Sequence, residues 1–168
     1  MVLWQLQTQW EWDGIASLQF PEEHDWHIFI KCIQCGEEGQ RAVVVSPQLV
    51  EEGIRGAVVH LRYTCWFCRR QHEIALRSTG ANLGGEAMYE WKNVVSLDCR
   101  GVEPIDWRPD MGGALRAAGE GGYEFDEVAL DAEDANTDQV AAWYDYDEQQ
   151  QREVSVILQR YRWARESG

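Results

Sequence analysis

The chain has 168 residues, 45 % of them hydrophobic, and carries a net charge of −14 at neutral pH. Nine Trp, six Tyr and four Phe supply more large apolar side chains than a disordered chain carries, so we expect one compact globular domain over residues 1–168. The negative charge repels phosphate groups, which argues against nucleic acid and against an anionic membrane surface as partners.

Acidic residues are concentrated between residues 119 and 153, where twelve Asp or Glu accompany one basic residue, Arg152. Such a run most often forms a solvated face or loop, and a dedicated site for a cation or a partner is the less common alternative.

The first residues contain no basic leader, and no stretch of the chain reaches the roughly 20 apolar residues that a membrane helix needs. We therefore expect a cytoplasmic protein. A protein that is also present in the nucleus is the alternative. Thiols stay reduced in both compartments, so paired cysteines point to metal or redox chemistry rather than to structural disulfides.

Alternation of apolar and polar residues with a period of two predicts β-strands along most of the chain. In the first segment, Trp4, Trp10 and Trp12 fall on one side and Gln and acidic residues on the other. The predicted strands cover residues 4–13, 26–33, 42–45, 56–64, 74–76, 91–97, 124–130 and 154–163. Helical periodicity is weak, and its best candidate, 131–145, is either a helix with acids at its start or a loop with a turn or two.

Many short strands separated by glycine-rich turns predict an all-β fold, packed as a sandwich-like unit. Residues 28–37 resemble residues 95–104 at an offset of 67, with Cys99 in the place of Cys32 and Val102 in the place of Cys35. This faint repeat predicts two similar β subdomains. The first, roughly residues 1–80, would bind the metal, and the second, roughly 81–168, would be acidic and metal-free. Coincidence is the alternative.

The cysteines carry the clearest chemistry of the sequence. Cys32 and Cys35 form one C-x-x-C knuckle, Cys65 and Cys68 form another, and 29 residues separate the two knuckles. Each knuckle follows a predicted strand, as in a zinc ribbon, and two knuckles supply the four thiolates of a tetrahedral zinc site. Four cysteine ligands leave no open coordination position, so the predicted zinc site is structural and no catalytic zinc is expected.

Basic and histidine side chains near the knuckles allow more than one interpretation. Lys31, Arg69 and Arg70 either offset the negative charge of a zinc–tetrathiolate site or lie on solvated surface. His72, four residues after Cys68, is expected at the surface or behind a ligand rather than as a ligand itself. The other histidines, His24, His27 and His60, lack ligand spacing and are expected to be hydrogen-bonded or exposed.

Redox chemistry is the less favoured interpretation of the knuckles. A redox C-x-x-C usually precedes a helix that lowers the pKa of its first thiol, and neither knuckle is followed by a helical pattern. Cys99, at the end of an apolar strand, is expected to be a buried small hydrophobic residue.

The chain resembles the eukaryotic CXXC-motif-containing zinc-binding protein family, whose biochemical role is poorly defined. The resemblance rests on the two knuckles, on the stretch Cys-Arg-Gly-Val-Glu-Pro-Ile-Asp at 99–106, and on Tyr-Asp-Tyr-Asp-Glu at 144–148. It implies a mostly β fold of two similar subdomains, with zinc held in the first by Cys32, Cys35, Cys65 and Cys68. An unusually Trp-rich first half and a long acidic stretch before Tyr144 depart from the family pattern.

Three functions are compatible with these residues. The leading expectation is a monomeric, non-enzymatic zinc protein that binds another protein. Metal handling, in which the thiolates pass zinc or copper to or from a partner, is the second, because soft thiolates suit both ions. The third is an enzyme that uses Glu103, Asp106, Asp145 and Asp147 in acid–base roles, although these residues are more often found in turns and caps.

Overall fold

The computed structural model of the chain describes residues 2–85 and 88–166. Within them the chain forms fifteen β-strands and no α-helix, together with a short 3₁₀ helix, Ala132–Asp134. The strands are β1 (Val2–Asp13), β2 (Ile15–Gln19), β3 (Trp26–Cys32), β4 (Val43–Val45), β5 (Glu51–Glu52), β6 (Val58–Val59), β7 (Leu61–Thr64), β8 (Gln71–Ser78), β9 (Asn82–Gly84), β10 (Lys92–Arg100), β11 (Val102–Trp107), β12 (Leu115–Gly119), β13 (Glu124–Val128), β14 (Ala141–Asp147) and β15 (Arg152–Arg165). The predicted all-β fold is confirmed. None of the helices in the described residues is long and apolar enough to cross a membrane.

The described strands form three sheets of three or more strands and a small hairpin of β5 and β6. The large sheet has six strands in the order β14-β15-β1-β10-β8-β7, the second sheet has four in the order β13-β12-β2-β9, and the third has three in the order β11-β3-β4. Each of these sheets combines strands from residues 1–80 with strands from residues 81–168. The proposed division into two subdomains stays a prediction.

The long strand β1 lies at the centre of the large sheet, antiparallel to β10 on one side and to β15 on the other. Its side chains alternate as the sequence predicts, with Leu6, Thr8, Trp10 and Trp12 buried on one face. β1 pairs with β10 over residues 2–8 and with β15 over residues 4–13. A strand in this position satisfies most of its backbone groups, which explains why the longest alternating segment lies here.

Four aromatic rings fill the centre of the core, where the three larger sheets meet. Trp10 from β1 lies 6.1 Å from Phe20, which follows β2, and Phe20 stacks on Trp26 of β3 at 5.3 Å. Trp107 of β11 lies 6.1 Å from Trp26. All four are buried, so aromatic side chains from both halves of the chain hold the sheets together at their junction.

The predicted helix at 131–145 is wrong beyond its first turn. Asp131 caps the 3₁₀ helix by accepting a hydrogen bond from the Glu133 N–H, and the chain then enters β14 at Ala141. Ala141, Ala142 and Trp143 bury against the core while the strand pairs with β15 along its whole length. Pairing with an existing sheet edge outweighs the weak helical tendency of this segment.

His24 contradicts the expectation of a hydrogen-bonded or exposed histidine. It is 3 % exposed, its ring lies against Phe20 and Trp26, and neither ring nitrogen has a partner among the described residues. Burial, opposed in part by the charge of Asp25, lowers the pKa of His24 to about 4. His24 is therefore neutral in the folded protein at physiological pH.

We expect His24 to weaken the fold in mild acid. The unfolded chain takes up a proton at this position near pH 6.5 and the folded chain only near pH 4, so stability falls as the pH falls through that window, by at most about 3 kcal/mol. Urea unfolding of the wild type and of His24→Phe at pH 7 and pH 5 measures the effect. Loss of metal in acid affects both proteins alike, so an identical pH dependence in the two would contradict the assignment.

Candidate metal centre

Each cysteine knuckle begins where a strand ends. Cys32 is the last residue of β3 in the three-stranded sheet, and Cys65 directly follows β7 in the large sheet. The site therefore lies between two sheets, and each sheet contributes one pair of sulfurs.

The two knuckles share one backbone arrangement. In the first, the Gly36 N–H donates to the Cys32 carbonyl and the Cys32 N–H to the Glu37 carbonyl, both at 2.9 Å. In the second, the Arg69 N–H donates to the Cys65 carbonyl and the Cys65 N–H to the Arg70 carbonyl at the same distance. Gly36 has a φ of +77° and Arg69 of +65°, so both knuckles contain the same tight turn with a left-handed residue.

The four predicted sulfurs converge. Their Sγ atoms all lie within 4.8 Å of one another, with 3.8 Å between Cys32 and Cys68 and 3.7 Å between Cys35 and Cys65. Four sulfurs placed tetrahedrally at a Zn–S distance of about 2.3 Å are about 3.8 Å apart. The spacing of the donors thus fits zinc.

Cys65 and Cys35 differ in how readily their thiols ionise. The N–H groups of Cys68 and Phe67 lower the pKa of Cys65 to about 7, against the effect of burial. The Glu37 N–H lowers the pKa of Cys35. Desolvation and the three neighbouring sulfurs outweigh it and raise this pKa to about 12. Four thiolates this close repel one another, so they ionise together only around a positive ion.

His72 lies directly behind the first knuckle. It is buried on β8, 3 % exposed, with its Nε2 atom 3.1 Å from the Cys32 sulfur. When that sulfur is a metal-bound thiolate, an Nε2–H can donate to it and disperse part of its charge. The expectation of a surface position for His72 is wrong. The alternative expectation, a position behind a metal ligand, is confirmed.

The lack of a side chain at Gly101 leaves room for the His72 ring. The turn from β10 to β11 passes so close that a Cβ at Gly101 would overlap His72 Nδ1, and the φ of Gly101 is +85°. The Gly101 carbonyl accepts a hydrogen bond from the Ile33 N–H in the first knuckle at 3.0 Å, and Val102 pairs with Cys32. The stretch 99–106 therefore supports the cysteine cluster from behind.

The basic residues beside the knuckles take different positions. Lys31 lies 3.7 Å from Glu103 on the adjacent strand, and the Arg70 guanidinium donates to the Gln34 side chain across the two knuckles at 3.0 Å. Arg69 is exposed. Arg70 thus ties one knuckle to the other, while Lys31 makes a surface ion pair of small energetic value.

Cys99 is buried and apart from the cluster. It is 2 % exposed, and burial, followed by the neighbouring charge of Asp98, raises its pKa to about 12. Its thiol stays protonated at physiological pH, and the expectation of a buried small hydrophobic residue is confirmed.

The four carboxylates considered for catalysis do not form one group. Asp106 accepts a hydrogen bond from Tyr161 on β15, whereas Asp147 pairs in register with Arg152 at the start of the same strand. These positions on β15 are nine residues apart, or about 30 Å at roughly 3.3 Å per residue. Glu103 instead pairs with Lys31, and Asp147 accepts hydrogen bonds from the Gln149 and Gln150 backbone as a turn cap.

The fold and the site define an all-β protein with a two-knuckle, four-cysteine cluster at a seam between sheets. The family model of the eukaryotic CXXC motif containing zinc binding proteins matches residues 5–164, and the chain belongs to this family.

Relatives and solved structures agree with this assignment. The human CXXC motif containing zinc binding protein is 30 % identical over 155 residues, covering 90 % of this chain and 91 % of its own. A UPF0587 protein of Nematostella vectensis is 31 % identical over 160 residues, with the same coverage of 90 % and 91 %. The crystal structure of C1orf123 superposes with a TM-score of 0.80 at 25 % identity and covers 99 % of each chain. A hypothetical protein of Plasmodium falciparum has the same fold, with a TM-score of 0.78 at 16 % identity, over 99 % of this chain and 100 % of its own.

We expect the knuckle cysteines, and not Cys99, to hold the metal. Cys65→Ser removes a sulfur from the cluster and should yield a protein that loses its ion to a mild chelator, whereas Cys99→Ala removes a buried thiol elsewhere and should keep one ion per chain. Elemental analysis after chelator treatment and gel filtration measures this. Equal metal loss in the two variants would contradict the site.

We expect His72 to strengthen metal binding without being a ligand. His72→Ala removes the donor to Cys32 and should lower metal affinity about 10- to 100-fold. His60, whose Nδ1 accepts the Leu76 N–H away from the cluster, provides the control His60→Ala. Competition with a chromophoric chelator gives the affinities. An unchanged affinity in His72→Ala, or an equal loss in His60→Ala, would show that the contact has no such role.

Proposed function

We propose that this chain is a zinc-binding protein whose four-cysteine site is structural and that it acts without catalysis, by binding another protein. The convergence of all four knuckle sulfurs to zinc–thiolate spacing carries the proposal. Four cysteine ligands complete a tetrahedron, so a substrate or a reactive water finds no coordination position on the ion. We propose the cytoplasm, with the nucleus as a second compartment, and a monomeric state.

The position of the site supports a structural role. The ion would connect the end of β3 to the end of β7, which belong to different sheets. Since the cysteines repel one another as thiolates without the ion, the free energy of metal binding becomes folding free energy at this seam.

The knuckle tips support a role in protein binding. Ile33 between the first pair of cysteines is 53 % exposed, and Trp66 and Phe67 between the second pair are 53 % and 63 % exposed. Large apolar side chains held in water on a rigid turn are typical of surfaces that another protein covers.

Metal handling is a second candidate, favoured by one specific observation. Cys32 and Cys65 are buried, but Cys35 and Cys68 are only half-buried, so one cysteine of each knuckle is less covered than the other. A less covered thiolate leaves a partner's soft ligands better access to the ion.

Metal content before and after a mild chelator, with folding followed by circular dichroism, separates the two functions. We expect one zinc per chain that leaves only as the fold melts, because the site joins two sheets. Zinc that leaves a protein with an unchanged spectrum, or copper in its place, would contradict the structural role and favour metal handling. Cys99→Ala, which retains the four knuckle cysteines, serves as the control for nonspecific thiol effects.

A further inference from the structure

A groove opens beside the second knuckle. Residues 39–43 line one side, and Tyr63 and Trp66 line the other, enclosing a volume of about 420 Å³. It lies between the chain that enters β4 and the chain that runs from β7 into Cys65. The groove therefore touches the same two sheets that the cysteines connect.

The walls of the groove are mainly apolar and aromatic. Val43 and Tyr63 are half-buried, and Trp66 is 53 % exposed although it is one of the largest apolar side chains of the protein. Phe67 packs edge-on against Trp66, with 5.8 Å between the ring centroids. These rings are positioned to cover apolar side chains of a bound molecule.

The lining holds one charged side chain, Arg41. It is exposed, and among the described residues no carboxylate forms a salt bridge with it. Residues 31–77 contain seven basic and five acidic residues, whereas the rest of the chain contains eight basic and twenty-four acidic residues. The segment that supplies the groove is thus less acidic than the rest of the chain, and within the lining the Arg41 guanidinium is the group that attracts a negative charge.

One sheet edge next to the groove is open. Within the described residues β4 is the last strand of the three-stranded sheet. The large sheet ends at β7, where the Arg62 N–H already donates to the Glu51 carboxylate at 3.2 Å, so β4 offers the free edge. An unpaired edge offers N–H and C=O groups to an added strand, and an extended peptide satisfies them without refolding the host.

We propose that this groove binds an extended segment of a partner protein, in which a carboxylate lies between large apolar side chains. The carboxylate pairs with the Arg41 guanidinium, the apolar side chains pack on Tyr63 and Trp66, and the backbone runs along the open edge. This inference names the partner chemistry of the interaction surface and rests on the proposed function.

A displayed library of random nonapeptides, selected on the full zinc-loaded chain, tests the proposal. We expect enrichment of peptides with Asp or Glu flanked by aromatic or aliphatic residues. For one such peptide, synthesised and titrated, Trp66→Ala and Arg41→Glu should each weaken binding at least about tenfold, through lost packing and through repulsion. Tyr144→Ala removes a side chain with the same 53 % exposure on β14 and should leave the affinity unchanged.

Three outcomes would each contradict peptide binding in the groove. The first is a library without enriched peptides. The second is equal affinity of a selected peptide for wild type, Trp66→Ala and Arg41→Glu, and the third is a preference of the wild type for basic peptides. A sedimentation coefficient of the wild type that falls in Arg41→Glu would show a second copy in the groove instead of a different protein. Zinc content and circular dichroism of each variant confirm that the fold is intact.

Failure of the groove is distinguishable from failure of the proposed function. Peptides that bind the chain with an affinity unchanged in Trp66→Ala and Arg41→Glu would contradict binding in the groove. They would still be consistent with a protein-binding role. Zinc that leaves the folded wild type would overturn the structural site whatever the peptides show.

Discussion

The seam between the large sheet and the three-stranded sheet depends on four sulfurs that repel one another. Cys32 ends a strand of one sheet and Cys65 follows a strand of the other, so the pairs approach only because the two sheets do. The aromatic core brings the sheets together on one side, and the four thiols converge on the other. Under the proposed structural role, folding and metal binding are one process at this end of the molecule, because a cation offsets the repulsion between the thiolates.

The turn between β10 and β11 crosses the same seam. It carries the chain from the large sheet into the three-stranded sheet, and it can pass close to His72 only because Gly101 lacks a side chain. His72 in turn fills the space between the turn and Cys32. The second half of the chain thus takes part in the metal centre without supplying a ligand, through one glycine, one carbonyl group and the strand pair Val102–Cys32.

The sequence was sufficient for the features that depend on local spacing. The two knuckles were predicted because a C-x-x-C pair needs only its own turn, and β1, β3 and β15 were predicted because their alternation is long. The segment 131–145 departs from the predicted helix because β14 is stabilised by its partner β15, which local propensity does not reveal, and the alternative of a loop with a turn holds only up to β14. The burial of His24 arises from sheet packing and has no pattern in the sequence. The spacing of His72 from Cys68 allows a place behind a ligand, but only sheet packing decides that it contacts Cys32.

The knuckle tips link the metal to the surface of the protein. Within each knuckle the backbone hydrogen bonds and the sulfurs fix the turn, so Ile33, Trp66 and Phe67 are not needed to hold it. Under the proposed function, their exposure offers apolar area to a partner at a position that a bound ion would make rigid, and a rigid surface loses less conformational entropy on binding. Without the ion the second knuckle would lose its anchor and Trp66 would lose its fixed place beside Tyr63. In the proposed function, the structural site and the binding surface would both follow from the same four zinc–sulfur bonds.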